Sequence, residues 1–376
     1  MKKNPLPDLD LAAFWDEDRL AHEDDCFSPT ARQVALGIRM NETCVFSELG
    51  EPGNPLVPIP RERVRDLVRR YNDEAERIVG LRLLPESFSP DDARLPPVRN
   101  LVEVFGSRVL DNGVAEWVQP SCGTPRELER LLDRVDRLDL REFLLPPGWA
   151  SETRRVFERT GEKPGILCSI RGPVTMAMSV YGVENLIYLL VDEPELGERF
   201  SRTILRVVRD AMDLFDAEAG VTRETRPHGF YFYDDDCCLL TPELYEAFAS
   251  PILSGIFEHA SPDPGDDRYQ HSDSAMGHLL PQLARLGLTS CNFGPTLSID
   301  EIRHHLPRAR IDGQLAPFTF QSNDEERIVA EVRRDCEAAR RCGRGVNLET
   351  AGSVNDGTRL TSLRVVMAAI QEYGRY

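Results

Sequence analysis

The sequence lacks several features that define common classes of protein. No stretch approaches the roughly 18 uncharged apolar residues that cross a bilayer, and no nucleotide-binding GxGxxG or GxxxxGK[ST] pattern follows a predicted strand. Pro and Asp residues after Lys2 and Lys3 interrupt the apolar run that a secretory signal requires. We therefore expect no membrane span, no secretory leader and, by default, a cytoplasmic location.

Paired cysteines are also missing. The nine cysteines are an odd number spread over 376 residues, and no two of them have CxxC spacing. This pattern argues against a disulfide framework and for a reducing compartment. The adjacent Cys237 and Cys238 fit a redox or metal element, or two small apolar residues near the end of a strand, and the second interpretation is favoured.

Basic residues are outnumbered, with 45 Lys and Arg against 63 Asp and Glu and a formal net charge of −18. Sequence-independent nucleic-acid binding depends on cations that neutralise phosphates, so we expect no nucleic-acid partner. Hydrophobic residues make up 41% of the chain, and a chain of this length can bury a large core. A folded enzyme or binding protein with a small-molecule substrate is the expected class.

The proline content and the pattern of apolar residues change near residue 100. Prolines recur in residues 1–100 between short helical patterns, one of them over residues 61–78, which predicts an irregular, partly helical extension or cap. Residues 101–376 are predicted to form one domain, in which short apolar runs end in polar residues and precede amphipathic helices. The predicted strands are 165–170, 229–233, 268–270, 288–292, 309–313 and 345–349.

Repeated strand–helix units predict a parallel sheet. Thr124, Ser298 and Ser322 each have Glu three residues later, the spacing of a capping box at a helix start. The sheet could be a closed (β/α)8 barrel or an open, doubly wound sheet. Polar residues follow several strands, which is where a barrel builds its active site, and the nucleotide motifs are missing. We predict an α/β fold: a (β/α)8 TIM barrel with the N-terminal extension.

His271 and Asp273 follow a predicted strand and are the first candidates for chemistry. An imidazole and a carboxylate can hold a divalent metal, or the Asp can fix the His as an acid or base. The third interpretation is that His271 and Asp273 form a structural pair that stabilises a loop. Glu349, which alternates with Asn347 in the last strand, would need a partner inside a barrel, and His271 or an arginine could supply it.

Two further groups of polar residues follow predicted strands. Asp234, Asp235 and Asp236 repel one another, so the pKa of at least one should rise. They could supply a general acid, a metal ligand or a carboxylate that holds a cationic intermediate, or one could merely bind loop amides. Arg171 begins a turn before a helix whose first amides suit an anion. The alternative is that Gly172 and Pro173 are present only because the sharp turn requires them.

Seven motifs follow one another along the chain. They occupy residues 171–175, 182–185, 192–194, 235–236 with 240–244 and 251, 271–273 with 279–287, 312–317, and 352 with the closing helix to 374. Taken in order, they resemble the uroporphyrinogen decarboxylase superfamily, and within it most of all the corrinoid and coenzyme M methyltransferases. The order and spacing of the motifs match over residues 160–376, and more weakly from residue 100. The resemblance implies a (β/α)8 barrel and a homodimer.

The superfamily's methyltransferases bind zinc through an HxC motif and a later Cys, and they activate a thiol. His271 matches that His, whereas Asp273 and Ser353 stand where the cysteines are expected. The resemblance therefore implies a site of nitrogen and oxygen ligands for zinc or another divalent metal, made by His271, Asp273 and Glu349.

The resulting hypothesis is a methyltransferase or demethylase component that acts on a small molecule, with a corrinoid protein as its partner. One alternative is a decarboxylase of a porphyrinogen or other carboxylic acid, and another is a barrel that binds a ligand without catalysis. Residues 1–100 could close over the barrel mouth through Arg39, Asn41 or Glu42. The catalytic candidates are His271, Asp235 and Asp236, and the substrate-binding candidates are Arg171, Tyr233, Asn292 and Gln314. We expect Arg171, Asp235, His271 and Glu349 to face one cavity.

Overall fold

The structure is a computed structural model that describes residues 8–23, 26–54, 57–87, 94–111, 116–161, 163, 165–166, 170–222 and 224–376. Its contacts divide the chain into two compact units. The first unit comprises Met1–Ser87, His271–Leu280 and Thr289–Tyr376, and the second comprises Phe88–Gln270 and Pro281–Leu288. Each unit is described by itself.

Helices and strands alternate along most of the described chain. The helices are α1 (Leu11–Glu23), α2 (Cys44–Leu49), α3 (Arg61–Val79), α4 (Leu101–Val104), α5 (Pro125–Val135), α6 (Leu140–Leu144), α7 (Trp149–Thr160), α8 (Pro173–Tyr181), α9 (Val183–Asp192), α10 (Pro194–Ala219), α11 (Pro242–Ala260), α12 (Leu280–Arg285), α13 (Ile299–His305), α14 (Pro317–Ser322), α15 (Glu325–Arg341) and α16 (Leu360–Tyr373). The strands are β1 (Ala35–Leu36), β2 (Arg108–Asp111), β3 (Glu116–Gln119), β4 (Gly229–Tyr233), β5 (Asp267–Ser272), β6 (Ser290–Phe293), β7 (Arg310–Leu315) and β8 (Val346–Thr350).

The sheet of the first unit has the order β1–β8–β7–β6, followed by the last residues of β5. Strands β6, β7 and β8 are parallel, and so are β8 and β1, with Ala35 opposite Asn347. The first strand thus pairs with the last, as in a (β/α)8 barrel. The outer edge of β1 is covered by α1, because Asp18 Oδ1 accepts from the Leu36 amide at 2.7 Å and His22 Nε2 lies 3.0 Å from the Leu36 carbonyl oxygen.

The second unit contains β4 beside the first part of β5. Arg171 forms a parallel bridge with Tyr233 at the end of β4. The aromatic side chains Phe232 and Phe257 are both buried, and their ring centroids lie 6.1 Å apart, so β4 and α11 share a core. An antiparallel hairpin of β2 and β3, which the sequence did not predict, also belongs to this unit.

The predicted α/β class is confirmed, and β4 has the predicted bounds. The described residues form six parallel-sheet strands, and no pairing among them closes a barrel. The predicted strand 165–170 includes residues 167–169, which lie outside the described residues. The division into residues 1–100 and 101–376 stays a prediction. No helix in the described segments is alone long and apolar enough to span a membrane; α8 and α9 meet that criterion only as a pair, bent by 102°.

Two of the three predicted helix caps are correct. Thr124 and Glu127 form a reciprocal capping box, and the Ser298 side chain accepts from the Glu301 amide. Ser322 is wrong as a cap, because it ends α14 and Asn323 then adopts a left-handed conformation with φ of 56°. The N-cap of α15 is instead Asp324, whose side chain accepts from the Arg327 amide.

Candidate functional site

The structure places the predicted site residues in both units. His271, Asp273, Asn292, Gln314 and Glu349 belong to the first unit. Arg171, Tyr233, Asp235 and Asp236 belong to the second. These polar side chains therefore belong to two local groups, one in each unit. The prediction that all of them face one cavity stays a prediction.

His271 lies near the carboxyl end of β5 and contacts two other predicted residues. Its Nδ1 is 2.9 Å from Asn292 Oδ1, and its Nε2 is 3.2 Å from Asp273 Oδ1. The imidazole is mostly buried, at 17% side-chain exposure, whereas Asp273 is 53% exposed. The ring therefore has one nitrogen directed at an interior amide and the other directed at a more exposed carboxylate.

Two glycines leave room for Asp273. A Cβ atom on Gly294 would lie 2.4 Å from the Asp273 carbonyl oxygen, and one on Gly352 would lie 2.7 Å from its Oδ1. Gly352 also has a φ of +123°, which side chains rarely adopt. The motif residue Gly352 thus has a physical reason, because any larger residue would displace the carboxylate next to His271.

Glu349 is an acid of the first unit whose pKa is strongly raised. Burial raises the pKa of its carboxyl to about 7, and the nearby Asp312 raises it further, while Arg39, Arg310 and His271 act in the opposite direction. Within the described part of the chain, its carboxyl forms no hydrogen bond or ion pair. A half-buried acid with this pKa exchanges a proton easily near neutral pH.

Asp312 and Arg310 act on the carboxyl of Glu349 through their charges, and neither was among the site residues predicted from the sequence. Asp312 lies opposite Asn347 in the parallel pairing of β7 and β8. Arg310 Nε donates to both oxygens of Asp312, at 3.0 and 3.2 Å, and Asn347 Nδ2 donates to Oδ1 at 3.2 Å. The period-two alternation of β7 could have indicated Asp312, because it places residues 310, 312 and 314 on one face.

Gln314 and Asn292 were predicted to bind substrate, but their amide nitrogens donate hydrogen bonds within the protein. Gln314 is fully buried, and its Nε2 donates to the carbonyl oxygens of Gly294 at 3.3 Å and Leu297 at 2.8 Å. Asn292 is 3% exposed and contacts His271. These contacts support roles in shaping the site, and direct substrate binding by either residue stays a prediction.

Asn41, Arg39 and Glu42 follow β1 in the first unit. Asn41 links the loop after β1 to the segment after β8. Its Nδ2 donates to the Val354 carbonyl oxygen at 3.0 Å, and its Oδ1 accepts from the Thr43 amide at 3.0 Å. Arg39 is exposed and lowers the pKa of Glu349 through its charge. Of these three residues, Arg39 therefore has the clearest link to the candidate site.

Asp234 organises the group in the second unit. It is fully buried, and its carboxyl accepts from the Thr175 amide at 2.8 Å and the Val174 amide at 3.4 Å, both in the first turn of α8. Burial raises its pKa to about 7 despite these bonds. A Cβ on Gly172 would lie 2.2 Å from Asp234 Cβ. The carboxyl group of Asp234 therefore occupies the helix-start amides that the sequence predicted for an anion.

Asp236 and Asp235 lie in a short 3-10 helix, Asp235–Leu239, directly after Asp234. Burial raises the pKa of Asp236, and the charge of Asp235 raises it further, whereas Arg171 lowers it. The Asp236 amide donates to Thr175 Oγ1 at 3.1 Å. Tyr233 is 53% exposed, and its carbonyl oxygen accepts from the Gly172 amide at 2.6 Å. Asp236 and Arg171 are therefore electrostatically coupled within this unit.

The predicted metal site of His271, Asp273 and Glu349 stays a prediction. Among the described residues, His271, Asp273 and Glu349 do not form a group whose ligand atoms lie within 4.8 Å of one another. A structural zinc site has four protein ligands and a catalytic one usually three, whereas His271 and Asp273 supply two. The group of three that meets this distance is elsewhere, at His228, Asp263 and Asp266 before β4 and β5.

The parallel sheet, with its first strand beside its last and polar side chains at the carboxyl ends of strands, defines the class of (β/α)-barrel enzymes. The family model for uroporphyrinogen decarboxylase (URO-D) matches residues 119–373. The chain belongs to this family.

A solved structure of a methyltransferase from Methanosarcina mazei is similar in fold. It has a TM-score of 0.54 and 17% sequence identity, and the similarity covers 95% of this chain and 98% of that one. At this identity the likeness supports the fold alone. A search of curated protein sequences finds no match.

Proposed function

We propose that this superfamily enzyme removes a methyl group from a heteroatom of a small molecule, with Glu349 as the acid that protonates the departing heteroatom. The observation that carries the proposal is the carboxyl of Glu349, which is half-buried, has a pKa of about 7 and has no hydrogen-bond partner in the described part of the chain. A solved structure with this fold is a methyltransferase, so methyl transfer is a chemistry that the fold can carry.

In the proposed reaction, Glu349 supplies the proton that the departing heteroatom needs. The bond between the methyl carbon and the heteroatom breaks, its electron pair stays on the heteroatom, and the Glu349 proton moves to that atom. The methyl group passes to a nucleophilic acceptor, for which we propose a reduced corrinoid carried by a partner protein. Glu349 becomes a carboxylate, which Arg39 and Arg310 stabilise through their charges. Solvent then returns the proton.

A metal is not needed for this role of Glu349. Activation of a substrate thiol by zinc would require a firmer ligand set than His271 and Asp273 provide. We therefore propose that these two residues contact the substrate's polar group, with Nε2 of His271 and the carboxylate of Asp273 3.2 Å apart. A divalent metal held by this pair is the alternative that chelation tests.

Decarboxylation is less well supported by the described contacts. The alternative hypothesis required aspartates that stay negative beside a cationic intermediate. Burial raises the pKa of both Asp234 and Asp236, which disfavours the charged form. Asp234 is also committed to the amides of α8.

The test is a methyl-transfer assay with purified protein, free cob(I)alamin as acceptor, and a panel of small O-, N- and S-methyl compounds. We expect loss of the cob(I)alamin absorbance and release of the demethylated compound, with a rate that falls as pH rises above about 7 because Glu349 loses its proton. EDTA should leave the rate unchanged. Loss of activity in EDTA would instead support the metal alternative.

A parallel arm measures carbon dioxide release from uroporphyrinogen and smaller carboxylic acids. Carbon dioxide release without methyl transfer would overturn the proposal in favour of decarboxylation. Ligand binding by calorimetry with no product in either arm would favour the non-catalytic barrel.

A further inference from the structure

The side chain of Asn292 is held in one orientation by the main chain. Its Nδ2 donates to the carbonyl oxygen of Asp312 at 2.6 Å and to that of Thr350 at 3.0 Å. Both partners can only accept, so both must face the NH2 group of the amide. The residue is 3% exposed, and solvent therefore cannot replace these partners. Strands β7 and β8 fix which way the amide points.

This orientation dictates the hydrogen bond to His271. Asn292 Oδ1 lies 2.9 Å from His271 Nδ1, and an amide oxygen can only accept. The hydrogen must therefore be on Nδ1. If the amide were turned over, its oxygen would face two carbonyl oxygens, which is unfavourable in a buried position.

We propose that Asn292 is a positioning residue that fixes the neutral tautomer of His271 with its hydrogen on Nδ1. Nε2, beside Asp273, is then the nitrogen that can accept a proton or contact a donor group of the substrate. This inference deepens the proposed function and rests on it for the role of His271 in the reaction. The tautomer itself follows from the three contacts of the Asn292 amide alone.

The first experiment measures the tautomer directly. The protein is labelled with 15N only in histidine, and long-range 1H–15N correlation spectra are recorded at a pH where the imidazole rings are neutral. The chain has seven histidines, and the His271 signals are identified by their loss in His271→Gln. We expect the shift of a protonated nitrogen for Nδ1 and that of a bare nitrogen for Nε2. The opposite pattern in the unaltered protein overturns the inference.

Two substitutions separate positioning from simple structural support. Asn292→Asp and Asn292→Leu both remove the NH2 group that holds the carbonyls of Asp312 and Thr350, but only the Asp variant keeps an acceptor facing Nδ1. We expect His271 to keep its hydrogen on Nδ1 in Asn292→Asp and to move it to Nε2, toward Asp273, in Asn292→Leu. The same tautomer in both variants would contradict the proposal.

Asp273→Asn is the matched control at the other ring nitrogen, at a position exposed enough to tolerate the change. We expect it to leave the hydrogen on Nδ1, which would show that Asn292 and not Asp273 sets the tautomer. Together with the spectrum of the unaltered protein, this control decides the question even if Asn292→Leu does not fold. Because these spectra need no substrate, a failed methyl-transfer assay leaves their result interpretable.

Discussion

Asp234 in the second unit and Glu349 in the first show how two acids with similar pKa values differ in what they can do. Burial raises the pKa of both to about 7. Asp234 bonds two amides of α8, whereas Glu349 has no hydrogen-bond partner in the described part of the chain. A raised pKa alone therefore does not identify a catalytic acid. The partners of the carboxyl group decide between a structural role and a chemical one.

The largest expected difference is in catalysis. Glu349→Gln should lower the methyl-transfer rate by about 10²–10⁴-fold, the usual contribution of a general acid, and should remove the fall in rate above pH 7. Asp234→Asn should keep that fall, because Glu349 still titrates. Rates of both variants between pH 5 and 9 test this. A normal pH profile in Glu349→Gln would exclude Glu349 as the acid.

The next effect concerns the packing around Asp234. Gly172→Ala should lower the free energy of unfolding by about 1–3 kcal/mol, because the new Cβ overlaps a buried side chain, with Asp234 Cβ only 2.2 Å away. Gly165→Ala is the matched control in the same unit, since a Cβ there meets no atom of the described residues within 4 Å. Urea denaturation measures both. Equal stability of the two variants would show that α8 moves to accommodate the methyl group.

A smaller difference concerns pH and stability. A raised pKa means that the native state binds the proton more tightly than the unfolded chain, so Glu349 contributes stability at acid pH that is lost as pH rises through about 7. Glu349→Gln should therefore be more stable than the unaltered protein at pH 8, by on the order of 1 kcal/mol, with little difference at pH 4. Asp234→Asn should lose stability at pH 4, because its NH2 group replaces one of the two oxygens that accept from α8 amides. It should lose less at pH 8, where the raised pKa of Asp234 already makes its charged form costly in the native state. Thermal unfolding at each pH compares them.

The smallest effect belongs to Thr175, whose hydroxyl bonds Asp234 and accepts from the Asp236 amide. Thr175→Val should cost about 1 kcal/mol of unfolding free energy, about 0.5 kcal/mol for each of the two hydrogen bonds that it removes, which is the lower end of the usual range. Thr175→Ser should recover most of it. Similar losses in both variants would assign the effect to the methyl group of Thr175 and not to its hydroxyl.

The sequence predicted the strands and their polar ends because both signals are local. Strand β4 and the alternation that places Glu349 on one face are legible in a few consecutive residues. The contacts that assign roles are not local. Asp234 meets amides about 60 positions away, and Asn292 is held by carbonyls of two later strands.

The local signal for the start of α15 gave a wrong prediction, because two neighbouring residues could serve as its N-cap. Ser322 has the spacing of a capping box, and Asp324 lies two residues further on. The sequence favoured Ser322 because Glu325 completes its motif. The structure uses Asp324, since Ser322 still belongs to α14. The end of one short helix thus determined where the next could begin.

The pairing of β1 with β8 has a consequence for biosynthesis. Ala35 meets Asn347, which is translated more than 300 residues later. At about 5–20 residues per second, the ribosome needs roughly 15–60 s to deliver that partner. Until then the nascent N-terminal strand has no sheet to join, so this unit is completed only near the end of translation. A truncated message that ends before β8 would release a chain whose first strand stays unpaired and prone to aggregation.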